Sequence, residues 1–198
     1  YYLSSPFSLL VLLLMRFLYV NEAVTVVVLL KIGLTGACMA WYAQKKLPGK
    51  GSAAVCAGSM YALSNYVLGY YSNLMWLDCV MLTPVLAWTI EKLAEFGRWR
   101  NYSLVLGYCI FSNYYLGFVL CVFSVLYYLA VRFGAEERAE NWWKSGLKFT
   151  GASVLGGGMA AVILIPAVYA VAQTTAAKEA GLPAGKESGQ NFPFLPER

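Results

Sequence analysis

The chain contains no histidine, which removes the Ser-His-Asp and Cys-His nucleophile systems, the HExxH zinc helix and histidine proton relays in one step. Chemistry here must run on carboxylates, amines, hydroxyls or amides. Charge is scarce as well. Only 13% of the 198 residues are charged, against about 25% in an average soluble domain, while 60% are hydrophobic and the mean hydropathy is +0.58. That balance excludes a soluble globule. Metal-ligand cysteine spacing is missing too: Cys38, Cys56, Cys79, Cys109 and Cys121 all lie in apolar runs with no CxxC, so they read as small buried apolar residues. The chain opens on Tyr1 with no basic region before its first apolar stretch, and so reads as a piece of a longer protein rather than a signal peptide.

What is present is a succession of long apolar runs separated by short charged clusters. Fifteen Lys and Arg against ten Asp and Glu give a net charge of +5. Their clustering is the pattern of a multi-pass membrane protein and not of a nucleic-acid binder. The expected fold is an all-α polytopic membrane bundle of about six transmembrane helices, including two short hairpins, plus an N-terminal helix in the outer leaflet. A bilayer core of about 30 Å needs roughly 20 helical residues. Residues 22–44 supply a full span, 52–70 and 74–91 a tight hairpin, and 149–171 a last span. Residues 101–131 would make a single helix about 47 Å long. The Ser112-Asn113-Tyr114-Tyr115 run followed by Gly117 is its natural break, giving a second hairpin with a short first arm. The chain divides into a helical membrane domain at 1–172 and a polar tail at 173–198.

Charge placement supports this arrangement independently. Lys45, Lys46 and Lys50 flank one connection, Lys92, Arg98 and Arg100 the next, and Arg132, Arg138, Lys144 and Lys148 the third, so ten of the fifteen basic residues sit in three linkers. All three are expected on the cytoplasmic side. The hairpin tips at 70–73 and 112–115, the Glu22 end and the 173–198 tail then face outward. The leading segment, Leu3 to Val20, begins with Ser4-Ser5-Pro6 and carries Arg16. It reads as a helix lying in the outer leaflet, the alternative being a crossing that turns tightly at Asn21-Glu22.

Two ionisable residues lie inside spans, where a charge is costly and marks a functional site by default. Lys31 is about 13 Å into the span that begins at Glu22, and Asp78, the one aspartate in the chain, about 6 Å into the span that begins at Leu74. They read either as a structural ion pair or as a site, with Lys31 meeting a lipid phosphate and Asp78 a sugar hydroxyl or a metal. Around them recurs a combination of amide, hydroxyl and aromatic groups, at Ser64-Asn65-Tyr66, Tyr70-Tyr71-Ser72-Asn73 and Ser112-Asn113-Tyr114-Tyr115. Amides bond sugar hydroxyls and aromatic faces stack on sugar rings, whereas an interfacial aromatic belt would explain the tyrosines alone. Asn65, Tyr71, Asn73, Asn113, Tyr114, Tyr115 and Arg16 are therefore the candidate substrate contacts. In the last span, Ala152, Gly156 and Ala160 recur every four residues as a helix-packing face. Gly156-Gly157-Gly158 is not a phosphate loop, since no Lys-Ser/Thr follows it. Pro166 is expected to kink the helix.

At Tyr1 to Leu10 (YYLSSPFSLL), Leu29 to Gly36 (LLKIGLTG), Tyr61 to Asp78 (YALSNYVLGYYSNLMWLD) and Phe111 to Leu120 (FSNYYLGFVL), the sequence resembles the bacterial YfhO-type membrane proteins. The similarity runs through nearly the whole chain to about Tyr169. It implies a segment of a GT-C-like glycosyltransferase in the bacterial plasma membrane. Such an enzyme takes a sugar from a polyprenyl-phosphate carrier and passes it to a cell-envelope polymer such as lipoteichoic acid. The resemblance places the family's LLK motif on Lys31, its MWLD on Asp78 and its hairpin tip on Asn113 and Tyr114, with Asp78 as the catalytic candidate of this segment and the principal catalytic acid upstream of Tyr1. No cofactor is evident, and a divalent metal would need acids from outside the segment. The alternative is a non-enzymatic transporter or flippase of lipid-linked sugars.

Overall fold

A computed structural model describes residues 5–134 and 142–172, all of whose regular structure is helical. Tyr1, the first three residues after it, Arg138 and the 173–198 tail lie outside the described residues. The elements are α1 (Pro6–Leu14), α2 (Val20–Lys46), α3 (Gly51–Ala62), α4 (Asn65–Gly69), α5 (Leu74–Phe96), α6 (Trp99–Ser112), α7 (Tyr114–Gly134) and α8 (Trp142–Ala172). Among the described residues, α2, α5 and α7 are long and apolar enough to cross a membrane by themselves.

Side-chain pairings give the direction of each helix. Lys31 meets Asp78, Trp41 meets Trp88 and Lys46 meets Glu91, at nearly constant sequence separation, so α2 and α5 run parallel. Gly36 meets Gly58 and Ala62 in α3, which therefore runs back along α2. Cys79 in α5 donates to the Cys109 carbonyl in α6 at 3.4 Å, while Glu91, twelve residues further down α5, is reached by Tyr127 of α7. Thus α6 returns antiparallel to α5, and α7 descends beside it. Finally, Ser103 donates to the Ala152 carbonyl, and Gly107, four residues on, lies against Gly156, which sets α8 parallel to α6. The chain alternates direction at each long connection. The linkers 47–50 and 97–98 share one end of the bundle, and the hairpin tips share the other.

The second hairpin is as expected from its sequence. The chain breaks at Asn113, whose extended backbone (φ −154, ψ 112) interrupts the helix between Ser112 and Tyr114. Its Oδ1 accepts from the backbone N–H groups of Tyr115 and Leu116 at 2.9 and 3.2 Å, the N-cap bonds that start α7. The two arms touch at Gly117, where a Cβ would lie 2.7 Å from the Ile110 Cα. The first arm, at about 21 Å, is short, but α7 at about 31 Å is a full span.

Other details differ from expectation. The 52–70 segment is not one helix: it stops at Ala62, and Ser64, in extended conformation (φ −62, ψ 149), begins the separate α4. The leading helix covers Pro6–Leu14 only, N-capped by Ser5, and nine residues reach about 13 Å, which suits a helix lying in one leaflet and not a crossing. Cys56 is exposed, and Cys38 and Cys121 are half-buried, so burial holds for Cys79 and Cys109 alone. In apolar surroundings a thiol needs no protein cover to behave as a small apolar group. The packing face on α8 is as expected: Ala152 and Ala160 are buried, and Gly156 lies against Ser103 and Gly107 of α6. Beside it, Phe149 stacks on Tyr102 and Tyr128 at 5.4 and 4.3 Å.

Candidate functional site

Parallel packing of α2 on α5 brings the two membrane-embedded charges together. Lys31 Nζ lies 2.7 Å from Asp78 Oδ1, with side-chain exposures of 1% and 0%. The same ammonium donates to the Leu74 carbonyl at 2.7 Å and sits 4.8 Å from the centre of the Phe7 ring. Two oxygens thus take hydrogen bonds from the ammonium, and the Phe7 ring faces it by a cation–π contact. A phosphate approaching Lys31 would have to replace Phe7 or one of the oxygens. Asp78 is less fully engaged. Its Oδ1 is met by the ammonium alone, and its Oδ2 has no hydrogen-bond donor among the described residues.

Removing two charges from water costs several kcal/mol each, and mutual attraction repays it only with good geometry and further hydrogen bonds. Lys31 has one through Leu74, with the Phe7 ring as a cation–π neighbour, whereas Asp78 keeps vacant lone pairs in a buried place. A second vacancy lies at the same level. Ser112 Oγ is also buried without a partner among the described residues, and it sits on the last turn of α6, whose Cys109 carbonyl accepts from Cys79, the neighbour of Asp78. Buried polar atoms are nearly always paired, so the vacant lone pairs of Asp78 mark a place where a polar group fits.

Above this level lies an aromatic rim. Tyr66 of α4 contacts Tyr70 at 5.1 Å between ring centres, Tyr70 contacts Trp76 at 5.2 Å, and Trp76 stacks with Tyr115 of α7 at 6.3 Å. The rings join the tips of both hairpins. Their outer faces are open, with Tyr70 and Tyr115 exposed by 45% and 60%.

Of the residues singled out from the sequence, Lys31 and Asp78 meet directly, and Tyr115 belongs to the rim. Asn113 is buried, with its oxygen engaged as a helix cap. Tyr71 and Asn65 are exposed near the rim, Asn73 is half-buried at the N-cap position of α5 without a capping bond, and Tyr114 is half-buried at the start of α7. Arg16 is exposed in the turn after α1. Sequence reasoning missed Phe7, Trp76 and Ser112, although each lies inside a motif it used. It missed one cluster altogether: Glu91 Oε1 accepts from Tyr42 at 2.8 Å and Tyr127 at 2.6 Å and pairs with Lys46 at 2.7 Å. These residues are scattered over α2, α5 and α7, and only the parallel packing assembles them. No group of three His, Cys, Asp or Glu that could hold a metal ion occurs among the described residues.

Alternating apolar helices, three of them of spanning length, with an ion pair sealed between two spans, define a multi-pass all-α membrane protein. The sequence model of the family described as bacterial membrane protein YfhO matches residues 1–192, and the chain belongs to that family. No curated protein and no solved structure matches it.

Proposed function

We propose that this chain is the substrate-facing membrane segment of a glycosyltransferase that takes a sugar from a polyprenyl-phosphate carrier and delivers it to a cell-envelope polymer at the outer face of the plasma membrane. The observation that carries this reading is Asp78: a buried carboxylate held beside Lys31, with one oxygen free, below a rim of aromatic rings. A sugar hydroxyl would donate to Asp78 Oδ2, with Ser112 as a neighbouring partner. Lys31 keeps the carboxylate charged and oriented, and becomes available to a phosphate once Phe7 moves aside. Tyr70, Trp76 and Tyr115 would present ring faces to the sugar. A charged acceptor in a water-poor site binds a developing positive charge or a proton far more strongly than it would in water. A single carboxylate neutralised by an ammonium is a poor donor set for Mg²⁺, so the reading routes no step through a metal.

The test is made in the full-length protein in its own membrane. Asp78→Asn keeps the size and removes the charge, and should lower glycosylated polymer at least ten-fold per copy of the protein retained in the membrane, and the double variant with Lys31→Met, which leaves no lone charge, should lower it equally. Glycosylation equal to the parent at equal abundance would reject the assignment. Persistent transport of lipid-linked sugar across vesicles made with a variant unable to transfer it would favour the flippase reading instead.

A further inference from the structure

Between α3, α5 and α7 lies a groove of about 300 Å³. Tyr61 and Ser64 form one wall, Val80 and Thr83 the second, and Leu116 and Val119 the third. Its walls are almost wholly apolar. Of the four hydroxyls that line it, Tyr61 donates to the Val80 carbonyl at 2.8 Å and Thr83 to the Cys79 carbonyl at 2.9 Å. A surface so apolar suits a hydrocarbon chain better than water, which needs two to four polar partners. Two of its walls are helices of membrane-spanning length and apolarity, so the surroundings that can fill it are hydrocarbon.

The groove also has a head end. Tyr66, the first ring of the aromatic rim, closes it at the hairpin tips, and Cys79, next in sequence to Asp78, lines its inner wall. From Cys79 to Thr83 it descends about 6 Å along α5. Its volume lies at the lower limit of small-molecule sites, roughly 300–1,000 Å³, room for part of one chain and not for two side by side. A diacyl lipid brings two chains from one headgroup, whereas a polyprenyl phosphate brings one. The break between α3 and α4 lies at the opening: the helix stops at Ala62 and restarts at Asn65, and Ser64 and Tyr66 both line the groove.

We infer that this groove seats the first one or two isoprene units of the polyprenyl-phosphate carrier, so that the chain positions the headgroup at the level of Asp78. The inference rests on the donor chemistry of the proposed function and adds to it the place where the donor lipid binds. It is tested in full-length protein reconstituted in nanodiscs, using farnesyl phosphate with a diazirine on its first isoprene unit and, separately, phosphatidylglycerol with a diazirine on one acyl chain. Cross-linked residues are mapped by mass spectrometry. The farnesyl probe should label Val80, Thr83 or Leu116, and unlabelled farnesyl phosphate should reduce that labelling more than five-fold while phosphatidylglycerol does not. Val119→Trp, at the mouth, should cut the labelling about ten-fold, and Val125→Trp, elsewhere on the exposed face of α7, should leave it within two-fold. Equal labelling of these residues by both probes, without competition, would mean an ordinary seat for bilayer lipid and overturns the inference, as does labelling confined to other helices. Mapping on the parent protein stands even if Val119→Trp fails to fold. The site reading fails separately: groove labelling with unchanged glycosylation in Asp78→Asn keeps the groove and rejects Asp78, whereas lost glycosylation without groove labelling does the reverse.

Discussion

At the scale of single residues, the Lys31–Asp78 pair decides most. Both side chains are sealed at 1% and 0% exposure, so removing one leaves the other charged and uncompensated, a loss of about 3–5 kcal/mol in buried pairs. Lys31→Met should therefore lower the thermal midpoint of the purified protein strongly, and Lys31→Met with Asp78→Asn should recover much of that loss, because no lone charge remains. Thermal unfolding of the parent, both single variants and the double variant measures the coupling. Losses that simply add would show that the two residues act independently. Sequence reasoning saw both residues from their cost in a membrane, but not the vacancy on Asp78 Oδ2. The ammonium that meets Oδ1 is held by the Leu74 carbonyl at the head of α5 and faced by Phe7 of α1, contacts that join three helices.

Elements follow from local chemistry where a break carries its own cap. Asn113 ended one helix and started another because its amide replaces the N–H partners that the interruption removes. Ser64 starts α4 without any side-chain cap bond, so no capping group marks the break within an apolar run long enough for one span, and α3 and α4 are distinct only in the structure. Closing the second hairpin depends on a contact rather than a cap. A Cβ at Gly117 would stand 2.7 Å from the Ile110 Cα, which is main chain and cannot swing away. Gly117→Val should splay α6 from α7 and destabilise by about 1–3 kcal/mol, the range for overpacking. Gly134→Val on the same helix, where nothing lies within 4 Å, should shift the thermal midpoint far less. Equal shifts for the two would show that the arms do not need this approach.

On the scale of the whole molecule, the alternating helix directions put residues 47–50 and 97–98 at one end and the hairpin tips at the other, and the lysines and arginines of the linkers predict that the first end faces the cytoplasm. In a variant whose native cysteines are replaced, single cysteines at Lys50 and Arg100 should resist an impermeant thiol reagent applied to intact cells, and one at Ser72 should react. Labelling at Arg100 without membrane disruption would reverse the orientation. The Glu91 cluster belongs to this scale as well. By joining Lys46 and Tyr42 of α2 to Tyr127 of α7 through one carboxylate oxygen, it ties three parallel spans at the linker end, opposite the Lys31–Asp78 pair at the tip end.

The sequence by itself determined the class of protein, the place of the second hairpin and the two charges that matter, because each depends on quantities a chain carries locally: apolar length against bilayer thickness, a capping amide at a break, and the cost of an ion in hydrocarbon. It also set the parallel course of α2 and α5, since basic linkers on one side leave an even number of crossings between them. Only the tertiary structure decided that Lys31 and Asp78 touch, that Phe7 covers them, that four rings from two hairpins form one rim, and that Glu91 gathers partners from three helices. Those contacts depend on helix rotation and depth, which are set by how small residues such as Gly36, Gly58, Gly117 and Gly156 let neighbouring backbones approach, a property of pairs of helices that no single stretch of sequence contains.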